Sequence, residues 1–371
     1  MYEDRLAMSS NNLKPKPKVV PPKIFGSLLT EVVKKDLCVS CGACVASCPV
    51  LILYMKDEDE KPSMKGKCIL CEYCYYQCPR TVPRIGDLEE GIFGRKRRDD
   101  EELGIYIDCY SARSKADEIL KACQDGGIVS TLLIYALNQH IIDGAVVSKT
   151  SEKEPWKPIP EVVYSPQDIL KYAATRYTTS PTLIGLASAV DEHNMKHVAV
   201  VGTPCQIEAA RKMQFSSQGV RKLGSKTVFT IGLFCMESFW YNGLINSYLV
   251  KKEGLDLSKI SKFNKSGGRF IVQADGKELI NVPITKIKAY ARENCHSCDD
   301  FAAEYADISV GADGSPEGWS TVIVRTEAGK KLFDEAVKAN LIECKPIEEV
   351  KPGLEVVKKL TKEKKQTTKG T

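Results

Sequence analysis

Cysteines are the residues of this 371-residue chain best placed to do chemistry, and eight of the fifteen form two copies of one motif. Each copy reads C-x-x-C-x-x-C-x-x-x-C-P, from Cys38 to Pro49 and from Cys68 to Pro79. The short loop wraps three thiolates around a four-iron cubane, and the fourth cysteine of each copy ligates the other cluster. The spacing therefore predicts two clusters, one held by Cys38, Cys41, Cys44 and Cys78 and its twin by Cys68, Cys71, Cys74 and Cys48.

Zinc is the alternative metal for such cysteines, but zinc sites usually take their four ligands as two pairs. Two complete copies with a trailing proline favour iron and sulfur instead. Gly42, inside the first copy, allows the backbone to turn tightly beside the cluster. Disulfides are not expected, because the N-terminus has no apolar core resembling a signal peptide and cytosolic thiols stay reduced.

Four further cysteines could form a third site. Cys205 and Cys235 each follow a predicted strand, and loops after two strands of one sheet can lie side by side. Together with the CHSC pair, Cys295 and Cys298, they would supply four thiolates, enough for a third cubane. On spacing alone, the same four could hold zinc or no ligand. The other three have no partner pattern and are expected to be small buried residues: Cys109, Cys123 and Cys344.

Three segments carry signals for binding an anion or a flat ring. Residues 124–127 (QDGG) directly precede a predicted helix, where free N–H groups and the helix dipole favour an anion. Residues 202–206 (GTPCQ) form a strand-to-helix turn of the same kind, and residues 174–181 (ATRYTTSP) lie between them. Each segment alone could equally be a helix cap. No G-x-G-x-x-G follows a strand, and we expect Gly219–Thr227 to be a surface loop.

Size and composition are those of an ordinary globular protein of two or three domains, with 43% hydrophobic and 27% charged residues. A net charge of +5 is too small to indicate nucleic acid, although it could favour an acidic small molecule or partner surface. No stretch reaches the roughly 18 apolar residues that span a bilayer. We therefore expect a cytoplasmic protein, whose only link to the inner face of a membrane would be through partner subunits.

Composition divides the chain into five parts. A basic arm with Lys-Pro repeats covers residues 1–30, although Phe25 to Val33 could form a short helix. A two-cluster ferredoxin-like unit follows over residues 31–90, then a charged linker over 91–102, which few apolar contacts should cross. An α/β domain covers residues 103–345, and a Lys-rich tail covers 346–371, expected to be disordered from about Lys358.

Periodicity predicts the main elements of the α/β domain. The predicted strands are buried apolar runs at residues 143–148, 197–202, 228–234, 306–311 and 321–325. The predicted helices lie at residues 127–142, 168–172, 181–193, 204–213 and 328–340.

Several of these segments together resemble the family of coenzyme F420 hydrogenase/dehydrogenase beta subunits. They are QDGG before a helix, TRYTTS, VVGTPCQ, IGLFC, C-x-x-C-D and ADISVG…GWSTVIVRTEAG, within roughly Ile105 to Glu343. The resemblance implies an α/β (α+β) domain that binds FAD, exchanges a hydride with the deazaflavin coenzyme F420 and carries one four-iron cluster. The fold class is therefore an α/β flavin-binding domain behind an N-terminal two-[4Fe-4S] ferredoxin-like domain.

The resemblance also implies the site residues. The third cluster would fall on Cys205, Cys235, Cys295 and Cys298, in agreement with the spacing. The flavin contacts would fall on Gln124, Asp125, Gly126, Gly127, Arg176, Tyr177, Thr178, Gly202, Thr203, Pro204 and Gln206. Basic side chains near the flavin would hold the anionic tail of F420, with Arg176, Lys265 and Arg269 as candidates. No side-chain nucleophile or acid–base residue is required.

The hydrogenase beta subunit lacks the front pair of cluster motifs. A ferredoxin unit fused ahead of this module resembles instead the electron-input subunit of F420H2 dehydrogenase, which feeds an archaeal respiratory complex. We therefore expect hydride transfer from reduced F420 to FAD, then single electrons through three [4Fe-4S] clusters to other subunits of a redox complex or to a ferredoxin. The alternatives are a beta subunit of an F420-dependent hydrogenase or formate dehydrogenase, and a pure iron–sulfur electron-wire protein with a decayed flavin site.

Overall fold

The computed structural model describes residues 21–82 and 85–368. Most of the predicted basic arm, and the last three residues of the tail, lie outside the described residues. The short helix predicted before the first cysteine is confirmed, as α1 (Phe25–Leu28) continues into a π-helical turn (Leu29–Val33). Three apolar side chains of this segment are buried, so the expectation that a flexible arm extends to residue 30 is wrong: they are Phe25, Leu28 and Val32.

The ferredoxin unit is built from two similar halves. Each motif contains a single-turn helix at the same position, and two short antiparallel strands lie between these helices. In chain order the elements are α2 (Ala43–Ala46), β1 (Leu53–Met55), β2 (Pro62–Met64) and α3 (Tyr73–Tyr76). The residue before each helix, Gly42 or Glu72, has a left-handed backbone with φ of 80° or 64°. The two motifs therefore share one local backbone shape.

Eleven further strands among the described residues belong to the larger domain. They are β3 (Asp108–Ser114), β4 (Gly144–Thr150), β5 (Pro158–Val163), β6 (Val198–Gly202), β7 (Thr227–Leu233), β8 (Lys262–Ser266), β9 (Arg269–Ala274), β10 (Lys277–Pro283), β11 (Ile308–Gly311), β12 (Ser320–Val324) and β13 (Ile342–Pro346). Eight of them form one sheet in the order β13-β3-β12-β11-β7-β6-β4-β5. The four neighbours β11, β7, β6 and β4 run parallel, so their carboxyl ends meet at one edge of the sheet.

Helices cover both faces of this sheet. They are α4 (Glu89–Phe93), α5 (Asp117–Ala122), α6 (Ile128–Asn138), α7 (Pro166–Lys171), α8 (Thr182–Asp191), α9 (Pro204–Phe215), α10 (Arg221–Gly224), α11 (Glu327–Lys338) and α12 (Leu354–Thr367). Side chains of α6 and α11 share one apolar core with the strands, and those of α8 and α9 share another. The predicted α/β fold is thus observed in the larger domain.

The strands β8, β9 and β10 form a separate three-stranded antiparallel sheet. It packs on a π-helix, Asn242–Lys252, through an apolar cluster that includes Phe270 and Leu244. Short 3-10 helices complete the chain at Ile85–Leu88, Leu257–Lys259, Ile284–Lys286, Lys288–Tyr290, Glu293–Ser297 and Ile347–Glu349.

The five predicted strands and five predicted helices of the α/β domain all overlap observed elements. The sequence reasoning missed β3, β5 and β13, which carry polar or proline residues, and the whole three-stranded sheet. The stretch Gly219–Thr227, expected to be a surface loop, contains α10 with Leu223 buried.

The Lys-rich tail is not disordered where it is described. From Leu354 to Thr367 it forms α12, and Val357, Thr361 and Lys364 are buried. Residues spaced by three and four positions share one face of a helix, so these three side chains face the protein together. The prediction of disorder from about Lys358 is therefore wrong for residues up to 368.

The ferredoxin unit packs closely against the larger domain. Val39, Cys41 and Ala43 belong to the apolar core formed by α8 and α9, and the Leu183 N–H donates to the Cys41 carbonyl at 2.9 Å. In the predicted linker, the Arg97 guanidinium pairs with two carboxylates, of Glu89 and Glu304. The expectation that few contacts join the two units is therefore wrong, because the loop around the first motif is itself part of the interface.

Candidate functional site

Two cavities in the ferredoxin unit each gather four predicted ligands. The first cavity is lined by Cys38, Cys41, Cys44 and Cys78. The second cavity is lined by Cys48, Cys68, Cys71 and Cys74. Each cavity draws three thiols from one motif and the fourth from the other, which is the exchange of ligands that the spacing predicts.

The surroundings of these thiols suit ligation by iron. Burial raises the pKa of Cys41 and Cys44 well above the ordinary thiol value and that of Cys78 to about 12. Such buried thiolates need a positive partner, which iron supplies. Among the described residues, no three His, Cys, Asp or Glu side chains are grouped around one metal-ion position. Four thiols that line one cavity supply the number of ligands that a [4Fe-4S] cubane takes.

A third cysteine group forms at the carboxyl edge of the large sheet. Cys205 lies in the first turn of α9, directly after β6, and Cys235 follows the neighbouring strand β7. Burial raises the pKa of Cys205 to about 12, and the thiols of Cys298 and Cys295 raise it further. Burial also raises the pKa of Cys235, and the thiols of Cys295, Cys205 and Cys298 add to this rise. The structure thus brings together all four residues proposed for the third cluster.

Two basic residues that the sequence reasoning missed lie beside this third group. The Lys364 ammonium of α12 is buried and donates to the carbonyls of Met236 and Cys295. Although burial opposes it, the four surrounding cysteine thiols raise the pKa of Lys364. Arg80 approaches from the ferredoxin unit. Burial of its guanidinium lowers its pKa, but the nearby acidic groups, chiefly the thiol of Cys298, raise the pKa of Arg80 by more. The signal for Arg80 was its place directly after the Cys78-Pro79 pair.

The three cysteine groups form a row. Besides burial and the thiol of Cys78, the thiol of Cys205 raises the pKa of Cys41, so the third group adjoins the first cavity. The thiol of Cys74 likewise adds to the raised pKa of Cys44, which joins the first cavity to the second. The first cavity therefore lies between the third group and the second cavity.

Residues 124–127 lie where the sequence predicts, directly before α6. Gly127 is the left-handed residue before the helix, with φ of 71°. A Cβ atom on Gly126 would lie 2.5 Å from the Ala112 carbonyl oxygen, so this glycine is needed for packing. The Gln124 side chain donates to Asn264 at 2.9 Å, while its own oxygen is buried and has no hydrogen-bond partner among the described residues. An unpartnered buried acceptor is a feature that a bound ligand can satisfy.

Arg176 and Tyr177 border the same region. Burial lowers the pKa of Arg176 to about 10, and among the described residues no carboxylate forms an ion pair with its guanidinium. The guanidinium instead donates to the carbonyls of Tyr172 and Ala174. Burial raises the pKa of Tyr177, and the Asp125 carboxylate adds to it, which places Tyr177 near the QDGG turn. A partly buried cation without an acidic partner favours an anionic ligand.

The GTPCQ turn joins these segments to the third cysteine group. Thr203 and Gln206 form a capping box at the start of α9, with the Thr203 N–H donating to the Gln206 side chain at 2.8 Å. The Gln206 amide donates in turn to the Ser180 carbonyl at 2.7 Å, within the 174–181 segment. Thr178 pairs with Phe239 in an isolated bridge, and Gly202 and Pro204 are buried. The helix-cap alternative is therefore correct for Gln206, while the turn still positions Cys205.

The two further candidates for an anionic tail have different surroundings. The backbone of Lys265 forms a hydrogen bond with the side chain of Tyr177. Burial raises the pKa of Asp313, and the positive charge of the Lys265 ammonium opposes this rise. Lys265 thus borders the Arg176 region. Arg269 is exposed on β9 and donates to Asn281 on β10.

The three unassigned cysteines lie apart from this row. Cys109 is buried in β3, where burial raises its pKa to about 12. Cys123 is partly buried and donates to the Asp125 carbonyl, and Cys344 is partly buried in β13.

Matches to known families agree with this geometry. Residues 30–79 match a 4Fe-4S dicluster domain. Residues 109–187 and 195–350 match the N-terminal and C-terminal parts of the coenzyme F420 hydrogenase/dehydrogenase beta subunit. The fold and the cysteine row thus define an iron–sulfur electron-transfer protein. The chain belongs to the family of coenzyme F420 hydrogenase/dehydrogenase beta subunits, with a ferredoxin-type unit ahead of the family domain.

Individual relatives support the assignment. The beta subunit of coenzyme F420 hydrogenase from Methanosarcina barkeri is 42% identical over 72% of this chain and 91% of its own length. A subunit of the F(420)H(2) dehydrogenase from Methanosarcina mazei is 34% identical over 94% of this chain and 93% of its own. A chain of the F420-reducing [NiFe] hydrogenase complex from Methanosarcina barkeri superposes with a TM-score of 0.70 at 40% identity, covering 74% of this chain and 94% of its own. No described helix is both long and apolar enough to cross a membrane.

Proposed function

We propose that this chain oxidises reduced coenzyme F420 by hydride transfer to a bound FAD and passes single electrons through three [4Fe-4S] clusters to a partner redox protein. The observation that carries the proposal is the continuity of the site. The GTPCQ turn contacts the Arg176 segment through Gln206 and supplies Cys205 to the third cysteine group. A flavin held at this edge of the sheet would lie beside its first electron acceptor.

The residues present fit a bound FAD. The site lies at the carboxyl ends of parallel strands, which is where open α/β sheets bind nucleotides. Arg176 supplies a partly buried cation for a phosphate, since no described carboxylate pairs with it, and the Gln124 oxygen supplies an unpartnered acceptor. The N–H groups at the start of α6 add a second anion-binding element.

The protein's own part in the reaction is to bind, orient and connect. A bound flavin would supply the step between a two-electron hydride donor and one-electron clusters. Lys265 beside Tyr177 would hold the anionic part of F420. Oxidation of each reduced F420 molecule (F420H2) to F420 yields two electrons and two protons, one of the protons leaving within the hydride. The electrons would leave one at a time past Cys205 and Cys41 and then past Cys44 and Cys74.

The extent of the match favours an F420H2 dehydrogenase component over a hydrogenase beta subunit. The Methanosarcina mazei dehydrogenase chain aligns with 94% of this chain, whereas the hydrogenase beta subunit aligns with 72%. The two-cluster unit at residues 30–79 is the part that a hydrogenase-type chain would not need. We accordingly infer a cytoplasmic protein that hands electrons to other subunits of an archaeal redox complex.

The test is to purify the full chain without oxygen and measure bound FAD, iron, and oxidation of reduced F420 with a soluble dye. We expect one FAD per chain and loss of most of it in Arg176→Met, because the phosphate loses its charge partner. Arg221→Met, which removes an exposed arginine on α10, is the matched control and should keep its FAD. A chain with full iron but neither FAD nor F420 oxidation would instead be an electron-wire protein.

A further inference from the structure

The two cluster motifs have matching backbones but different surroundings. Ser40 and Leu70, which hold the same position in the two motifs, both have a left-handed φ, of 52° and 58°. Gly42 and Glu72 match in the same way, at 80° and 64°. The loop over the first cavity and the loop over the second cavity therefore present their side chains with the same geometry.

The first loop is a docking surface within this chain. Val39, Cys41 and Ala43 are buried in the core of the larger domain. A Cβ atom on Gly42 would lie 2.8 Å from the Pro181 carbonyl oxygen, so the loop presses directly on the segment before α8. Through this contact the first cavity meets the third cysteine group.

The second loop carries larger apolar residues at the matching positions and leaves them exposed. Ile69, the counterpart of the buried Val39, is 56% exposed, and Leu70 is 54% exposed. Val50, which lines the second cavity with Ile69, is also exposed, and the adjacent Leu51 is 76% exposed. We name these residues, with the exposed Tyr73 of α3, the second-loop patch: Val50, Leu51, Ile69, Leu70 and Tyr73.

We propose that the second-loop patch is the docking surface for a partner iron–sulfur protein with an apolar contact face and an acidic rim. The duplication supports it, since the matching loop already docks one redox centre against another. Charge supports it too, because Lys65 and Lys67 are exposed beside the patch, on the segment leading to Cys68. The proposal rests on the proposed function, which supplies the electrons. Transfer of each electron would oxidise the second cluster and reduce a cluster in the partner.

Binding and turnover are measured separately, with a purified acidic two-cluster ferredoxin as the probe. Calorimetry at low salt should show binding to the full chain, weakened at least tenfold in Leu51→Glu/Leu70→Glu. The control pair Tyr164→Glu/Leu279→Glu changes two exposed large hydrophobic residues elsewhere and should bind normally. Oxidation of reduced F420 with a soluble dye should be unchanged in both variants.

A second variant protects the test against misfolding. Lys65→Glu/Lys67→Glu alters only exposed charges and should also weaken binding, with a loss that fades as salt rises. No binding by the unaltered chain, or equal binding by the patch variant, overturns the proposal. So does tighter binding once residues 1–20 are removed, or a chain dimer that the patch variant abolishes, because the occupant would then be the arm or a second copy. Loss of F420 oxidation with ferredoxin binding intact would overturn the proposed function alone.

Discussion

Arg292 joins the ferredoxin unit to the larger domain, and its replacement tests how strongly the two depend on each other. Its guanidinium is fully buried, 3.7 Å from the centre of the Trp240 ring. It pairs with the Glu60 carboxylate at 2.6 Å and donates to the Ser40 hydroxyl and the Cys38 carbonyl. All three partners belong to the ferredoxin unit, so one side chain satisfies several of its buried polar groups.

The size of the effect follows from burial. In Arg292→Met the volume is roughly kept, but the Glu60 carboxylate, whose side chain is only 14% exposed, loses its charge partner. Removing one member of a buried ion pair costs about 3–5 kcal/mol. Burial already raises the pKa of Glu60 against the opposing charge of Arg292, and the variant should raise it further. The folded variant then holds the Glu60 proton to a higher pH than the folded unaltered protein does. Its loss of stability relative to the unaltered protein should therefore grow as pH rises above the raised pKa that Glu60 has in the unaltered protein.

Urea unfolding of the anaerobic protein, followed by tryptophan fluorescence, measures this loss. Arg98→Met, at an exposed arginine, is the matched control and should change stability little. The double variant Arg292→Met/Glu60→Gln should be less destabilised than the two single losses predict, by about 1 kcal/mol or more. A loss under about 1 kcal/mol in Arg292→Met, or strict additivity in the double variant, would refute the reasoning.

Three further predictions concern the cluster sites. Gly42→Ala should cost about 2–4 kcal/mol, since its Cβ would strain a left-handed backbone and press on a carbonyl oxygen. Gly26→Ala would place its Cβ at an ordinary contact distance of 3.9 Å from the Ile24 side chain and should cost nothing in the same urea assay. Lys364→Met should lower the reduction potential of the third cluster by on the order of 60 mV in an EPR-monitored titration, and Lys359→Met, exposed on the same helix, should not. Cys205→Ser should remove about four of about twelve iron atoms and slow electron passage to the front clusters; full iron content with normal passage would show that Cys205 is not a ligand.

Ligation within the ferredoxin unit could be predicted from the sequence because it is a local property. The C-x-x-C-x-x-C spacing fixes the loop that surrounds a cluster, and Cys48 and Cys78 lie at the ends of those loops. The central strands could be predicted for a similar reason, since β6 is a continuous apolar run. For the third group, spacing left zinc and no ligand as alternatives. The sheet topology brings Cys205 and Cys235 together, because β6 and β7 are parallel neighbours.

The charged segments were predicted less well, because the partner of each charge is distant in sequence. The lysines around Lys364 predict a disordered tail. The signal that could have corrected this is the spacing of Val357, Thr361 and Lys364, which places them on one helix face. Arg97 likewise lies in the segment predicted to be a charged linker, although it pairs with Glu304 of the larger domain.

The two motifs have the same ligand spacing but different surroundings. The residues between the ligands determine which motif packs against the larger domain and which faces outward. At one left-handed position the first motif has Gly42, which lets the backbone of the larger domain approach, and the second has Glu72, whose carboxylate accepts from the Lys23 N–H. A glutamate at the first position could not fit against Pro181. Cluster spacing therefore predicts where iron binds, whereas the residue at this turn determines which cluster can face the third cysteine group and which can face outward.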